Sequence, residues 1–373
     1  MKSHFRFVLV FIVLASCKQV QKVSDAITNP SAREIFERTF ENNDTLVKRY
    51  EFLYSNAKKN RLKLELPSVL SAKSDSLDFR VLSYTIELQR GERLKIESDI
   101  IADSLQLAID VFEFETDSIM SEKPLLTNEP ESNKIDFDVI KTGKYKVVIL
   151  PEFSKTINFS IKFYTEPTLA FPVSGKNNRA VQSFWGAPRG GGTRSHKGID
   201  IFAKRGTPVV AATEGFISNT GNRGLGGKQV WLRDGLFGQS LYYAHLDSIV
   251  VASGKRVKIG DTLGFVGNTG NAKTTAPHLH FGIYTRGGAV DPYPFVKHTE
   301  VPGFEKLDVI NEGVTRLKNN ELRLGAGVNN EKIQDLNDKT SVIVIAKNNR
   351  WYHLKVNDSL QGFMHESLVK PIK

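Results

Sequence analysis

A mainly β protein built from several modules is predicted by three features of this 373-residue sequence. Short alternating apolar and polar runs, bounded by turn residues, recur from Leu62 almost to the C-terminus, the pattern of half-buried strands. Glycine is concentrated: 22 of the 29 lie between Phe171 and Glu300, as expected where backbone turns sharply or approaches something closely. The length also exceeds a single ordinary domain of about 100–200 residues. The predicted architecture is an N-terminal helix plus β-sandwich, a central antiparallel β-sheet domain with a groove, and a small C-terminal barrel.

The N-terminus predicts export. Lys2, His4 and Arg6 precede an unbroken apolar run of eight residues, Phe7 to Leu14, and then Ala15, Ser16 and Cys17. A membrane-spanning helix needs about 20 apolar residues, so residues 1–17 read as a signal peptide. Cys17 is the only cysteine, which excludes an intramolecular disulfide framework and any Cys-rich zinc or iron–sulfur site. The tetrapeptide Leu14-Ala15-Ser16-Cys17 resembles the lipobox of bacterial lipoproteins. That resemblance implies cleavage before Cys17, lipidation of its new N-terminus and attachment to a membrane. Residues 18–30 are polar and predict a tether.

Residues 31–165 form the next unit. A helix is predicted from Ser31 to about Arg61, because Ser31 and Glu34 have capping-box spacing and Phe36, Phe40, Tyr50 and Leu53 punctuate the stretch. Beyond Leu62, runs such as Ser83–Leu88, Ala108–Phe114, Lys144–Leu150 and Ile157–Tyr164 predict the strands of a sandwich. No chemistry-bearing motif stands out there.

The chemistry lies in residues 170–300. Five of the eight histidines fall here, and four of them, His196, His245, His278 and His280, lie in motif-like stretches. Ser195 to Asp200 gives H-x-x-x-D; Gly198 and the following Ile-Asp-Ile-Phe run favour a loop entering a strand over a helix. In Pro277 to Tyr284, strand alternation puts His278, His280, Gly282 and Tyr284 on one face and Leu279, Phe281 and Ile283 on the other. Tyr242 to Asp247 predicts another short strand, carrying His245. Two imidazoles and a carboxylate, without thiolate, suit zinc with an open fourth position. Two further histidines remain for proton transfer or oxyanion stabilisation. There is no H-E-x-x-H, so a thermolysin-type glutamate base is absent. His298, His353 and His365 stand alone and read as surface or core residues.

From about Val173 to Val296 the chain resembles the lysostaphin-type zinc endopeptidases, the LytM family of peptidoglycan hydrolases. The matching stretches are His196–Ile201, Gly206–Ala212, Tyr243–Leu246, Gly260–Gly270 and Pro277–Phe281. The resemblance implies one Zn²⁺ ion held by His196, Asp200 and His280, with His245 and His278 as the catalytic pair. It also implies a peptidoglycan peptide as substrate. A non-catalytic cell-wall-binding adaptor, or an activator of other peptidoglycan hydrolases, is the other class compatible with this groove; the intact five-residue set favours the enzyme.

Residues 304–373 form the last unit. Leu322-Arg323-Leu324-Gly325, Trp351-Tyr352 and Gly362-Phe363 resemble the corresponding positions of small bacterial SH3-like barrels, implying a wall-binding module. The net charge is +10, and the 170–300 region holds sixteen Lys/Arg against seven Asp/Glu. These cations are scattered, without a continuous stripe or stacking aromatics, so no nucleic-acid partner is expected. An anionic wall polymer fits the charge and the export signal together.

Overall fold

The computed structural model describes residues 25–372 apart from 26–27, 77–78, 101–104, 117–118, 153–155, 236–237, 306 and 358–359. The predicted signal peptide, Cys17 and most of the tether lie outside the described residues. Strands predominate, and the sheets are antiparallel. Among the described residues no helix is long and apolar enough to cross a membrane.

The stretch 31–61 is two helices, Ala32–Arg38 and Asp44–Lys59, where one was expected. Ser31 caps the first as the spacing predicts: its hydroxyl accepts from Glu34 N, and the Glu34 carboxylate accepts from Ser31 N at 2.7 Å. The break has a local cause. The Asn43 side chain accepts from Leu46 N and caps a second start, offering the backbone a partner outside the first helix.

Eight strands follow: β1 (Ser68–Lys73), β2 (Leu82–Leu88), β3 (Glu92–Ser98), β4 (Leu107–Glu113), β5 (Leu126–Thr127), β6 (Lys134–Asp138), β7 (Gly143–Pro151) and β8 (Asn158–Pro167). They form two facing sheets, β1-β8-β3-β6 and β2-β7-β4-β5. Period-two alternation sets both faces of β7. Tyr145, Val147 and Ile149 enter the core between the sheets with Leu70, Ile96 and Ile161. Val148 and Leu150 point outward and are covered by Phe36, Tyr50 and Leu53 of the helices and by Phe40 of the turn between them. The unit therefore has three layers.

The glycine-rich region supplies β9 (Val181–Ser183), β10 (Pro188–Arg189), β11 (Arg194–Ser195), β12 (Ile199–Phe202), β13 (Pro208–Val210), β14 (Gly215–Arg223), β15 (Gly227–Asp234), β16 (Ser240–Ile249), β17 (Arg256–Val257), β18 (Thr262–Val266), β19 (His278–Thr285) and β20 (Gly288–Val290). Their main sheet runs β17-β14-β15-β16-β19-β12-β9. One face carries Ile199, Ile201, Val230, Leu241, Tyr243, Leu279, Phe281 and Ile283 into a single buried core. The other face carries the polar residues described below. At the boundary with the sandwich, the β2–β3 turn meets the short helix Tyr293–Val296. Gly91 there has φ +97°, and a Cβ on it would lie 2.3 Å from the Phe295 ring, so only glycine lets the two units touch.

The last strands are β21 (Glu312–Thr315), β22 (Asn320–Arg323), β23 (Lys332–Leu336), β24 (Ser341–Asn348), β25 (Trp351–Lys355), β26 (Gln361–His365) and β27 (Val369–Pro371). They have a small core of their own, with Leu322, Val344, Leu354 and Met364. They are also joined to the sandwich. β24 pairs with β1, Ser71 opposite Lys347 and Ala72 opposite Ala346, and Ile345 and Phe363 belong to the sandwich core. Buried His353 bonds Tyr84 Oη through Nδ1 at 2.9 Å and Gln361 Oε1 through Nε2 at 3.1 Å.

Candidate metal centre

Strand register assembles the site. Asp200 in β12 pairs directly with His280 in β19, so both side chains leave the same face of adjacent strands. His196 sits in the short link between β11 and β12. Its backbone is fixed by His196 N donating to Ala187 O and Gly186 N donating to His196 O, both at 2.9 Å. Its Nδ1 donates to Phe184 O at 2.9 Å, turning Nε2 inward. The result is a cluster in which Asp200 Oδ1 lies 3.0 Å from His196 Nε2 and 2.9 Å from His280 Nδ1. His196 Nε2 and His280 Nδ1 are 3.0 Å apart. H-x-x-x-D thus works as a loop-to-strand element.

Gly198 makes room for this arrangement. A Cβ there would lie 2.6 Å from His280 Cε1, 2.8 Å from His280 Nε2 and 2.6 Å from the Phe281 carbonyl oxygen. The donor set, two ring nitrogens and one carboxylate oxygen within 4.8 Å of one another, fits one zinc-sized cation. Burial opposes ionisation of Asp200, but hydrogen bonds from His196 and His280 outweigh it and hold the carboxyl well below the usual carboxylate range. Burial pulls His280 down despite its contact with Asp200.

The other two histidines lie beside the cluster. His278 Nε2 is 4.0 Å from Asp200 Oδ1, its ring stacks on Phe202 at 4.9 Å, and its Nδ1 donates to Ala276 O at 2.8 Å. Simple alternation along β16 would put His245 in the core beside Tyr243. It does not go there. His245 has φ +63°, the pairing of β16 with its neighbours is interrupted around it, and the backbone rotates its side chain onto the groove face. The His245 ring is 5.1 Å from that of His278 and 5.8 Å from that of His280. Its Nδ1 donates to Thr269 O at 2.9 Å. Burial, reinforced by His278 and His280, pulls it down to about 4.

All five residues singled out from the sequence therefore meet. His298 and His365 lie elsewhere, and buried His353 sits where the C-terminal strands meet the sandwich. Of the neighbours, Tyr284 was placed on this face by strand alternation, whereas Arg189, Trp231 and Tyr242 were not singled out from the sequence. Arg189, read only as one scattered cation, donates from Nη2 to Asp200 Oδ2 at 2.8 Å. Trp231, Tyr242 and Tyr284 pack together on the groove face, with Trp231–Tyr242 and Trp231–Tyr284 ring distances of 4.4 and 5.1 Å. Tyr242 reaches within 5.9 Å of the His280 ring and extends the floor away from the cluster. A cleft of about 1930 Å³ lies elsewhere, along the helix Asp44–Lys59. Its charged walls partly neutralise each other, as in the Arg33–Glu37 pair at 2.8 Å.

Comparison with known proteins converges on the same region. Residues 194–292 match peptidase family M23. The L-Ala–D-Glu endopeptidase of Bacillus subtilis (strain 168) is 34% identical over 149 residues, 37% of this chain and 45% of that protein. The glycyl-glycine endopeptidase ALE-1 of Staphylococcus capitis is 41% identical over 111 residues, 28% of this chain and 29% of that protein. The chain thus spans less than half the length of these curated relatives. The catalytic domain of lysostaphin from Staphylococcus simulans is 36% identical and covers 31% of this chain and 88% of that one, with a TM-score of 0.28. The chain carries a peptidase M23 domain with lysostaphin- and LytM-type homologues.

Proposed function

We propose that this chain is a zinc-dependent endopeptidase that hydrolyses the peptide cross-links of bacterial peptidoglycan. The observation that carries the reading is the convergence of His196, Asp200 and His280 on one point, with His245 and His278 on the same groove wall. The M23 match and the endopeptidase activities named for its relatives support it.

On this reading His196 Nε2, Asp200 Oδ1 and His280 Nδ1 hold the ion. Zinc there supplies Lewis acidity, acidifying water and polarising a scissile carbonyl. The chain's own residues move the protons. With Nδ1–H donated to Thr269 O and Ala276 O, His245 and His278 each leave Nε2 to take up a proton. A proton leaving the attacking water passes to one Nε2 and then to the leaving amine nitrogen as the C–N bond breaks. The other ring, when protonated, donates to the carbonyl oxygen as charge builds there.

The surrounding units serve delivery. Residues 1–17 direct export, lipidated Cys17 anchors the protein in a membrane facing the wall or periplasm, and residues 18–30 are the tether. Residues 31–165 form an accessory platform, 170–300 the catalytic domain, and 304–373 an SH3-like wall-binding barrel. The excess of cations in the catalytic domain suits an anionic wall.

The test is digestion of purified peptidoglycan by the chain lacking residues 1–17, with and without a chelator. Mass spectrometry should find fragments with new amino and carboxyl ends only when zinc is present. A folded, zinc-loaded sample that releases nothing from either glycyl-bridged or directly cross-linked walls would overturn the reading.

A further inference from the structure

The two oxygens of Asp200 have different neighbours. Oδ1 faces His196 Nε2 and His280 Nδ1. Oδ2 accepts from Arg189 Nη2 at 2.8 Å. The same guanidinium nitrogen donates to Ser183 Oγ, and that hydroxyl lies 3.3 Å from His196 Nδ1. Arg189 is the last residue of β10, paired with Arg194 next to the loop of the β10–β11 hairpin, in which Gly190, Gly191 and Gly192 all have positive φ. The hairpin is joined to the site at two points, through the His196 backbone and through Arg189.

A free carboxylate can present either oxygen or both, and can turn about its terminal torsion. A charge-assisted hydrogen bond to one oxygen removes that choice. We propose that Arg189 is a positioning residue of the metal centre, holding Asp200 Oδ2 so that Oδ1 alone faces the ligand nitrogens. The inference rests on the reading of His196, Asp200 and His280 as ligands.

Charge and geometry predict opposite signs here, which makes the proposal sharp. A guanidinium near a divalent cation repels it, so removing Arg189 would tighten binding if its charge were all that mattered. If Arg189 orients the ligand, removing it weakens binding, by about 10–100-fold for a lost outer partner.

The experiment measures zinc affinity of the full chain in detergent by competition with a chromophoric chelator, for wild type, Arg189→Met and Arg189→Lys. Substitution by Co²⁺ reports ligand geometry from its visible spectrum. The expected result is a zinc Kd raised about 10–100-fold in Arg189→Met, with an altered Co²⁺ spectrum and an unchanged metal-free melting temperature. Arg189→Lys keeps the charge but ends one bond short of the Nη2 position that meets both Asp200 Oδ2 and Ser183 Oγ, so its Kd should also rise; it carries the test if Arg189→Met does not fold. Equal or tighter zinc binding in the folded variants, or a raised KM with zinc affinity intact, would overturn the positioning role alone. Failure of the wild type to bind zinc would overturn the ligand reading as well.

Discussion

Gly198→Ala tests whether the metal centre depends on the close approach of β12 to β19. The added Cβ would stand 2.6 Å from both His280 Cε1 and the Phe281 carbonyl oxygen, against the roughly 3.5–4.0 Å at which carbon atoms pack without strain. Both contacts must open, the one to the ring by nearly 1 Å. The carbonyl belongs to the Ile199–Phe281 pair of the β12–β19 ladder, so the ring is the softer partner, and its motion carries Nδ1 out of the cluster. Overpacking of this kind costs about 1–3 kcal/mol of stability. Displacing the ligand should weaken zinc binding at least about tenfold, since each 1.4 kcal/mol is a factor of ten. Gly221→Ala is the control, because a Cβ on Gly221 meets nothing within 4 Å and should change stability by no more than about 0.5 kcal/mol. Denaturant titrations and chelator competition on both variants decide the matter. Gly198→Ala with wild-type stability and zinc affinity would refute the reasoning.

Four further outcomes follow from the structure. Asp200→Ala should lose zinc, whereas His278→Ala should bind it and lose turnover; metal analysis beside peptidoglycan digestion separates the two, and full activity in either variant would reject its assigned role. Asp110, wholly buried with Tyr54 Oη donating to it and Arg33 Nε 3.1 Å away, is pushed up to about 6 by burial. Between about pH 4 and pH 6 the folded chain keeps a proton that the unfolded chain has released. Stability therefore falls as pH rises through that window, by about 3 kcal/mol; Asp110→Asn should remove that fall in urea titrations, and an identical pH profile in both proteins would disprove it. Tyr84→Phe leaves buried His353 Nδ1 without its partner and should cost about 1–3 kcal/mol. The C-terminal strands and the sandwich should melt together in calorimetry, and a separate transition of the C-terminal strands would contradict their shared core.

The candidate site was largely legible because its signals are short-range. His278 and His280 share a face by alternation alone, and H-x-x-x-D lies within one loop and strand. His245 was legible as a candidate but not as to its direction, since a positive φ in a non-glycine residue leaves no mark on apolar periodicity. Arg189 was invisible for a different reason: its partner is set by hairpin geometry, and one arginine among sixteen cations carries no spacing signal. In the fold, β7 was plain from its apolar run. β14 (Gly215–Arg223) was not, because its glycines and asparagines mimic a loop, and pairing with β15 rather than its own composition makes it a strand. The joining of β24 to β1 spans most of the chain length, and no local pattern encodes it.

The central claim is that His196, Asp200 and His280 hold one zinc ion on which peptide cleavage depends. It is tested most directly by stripping the chain of metal, adding zinc stepwise and following the amino groups released from peptidoglycan. The account predicts no release without zinc, a rise that levels off at one equivalent, and a flat line for Asp200→Ala throughout. Full release from the stripped chain, or a normal titration by Asp200→Ala, would contradict it.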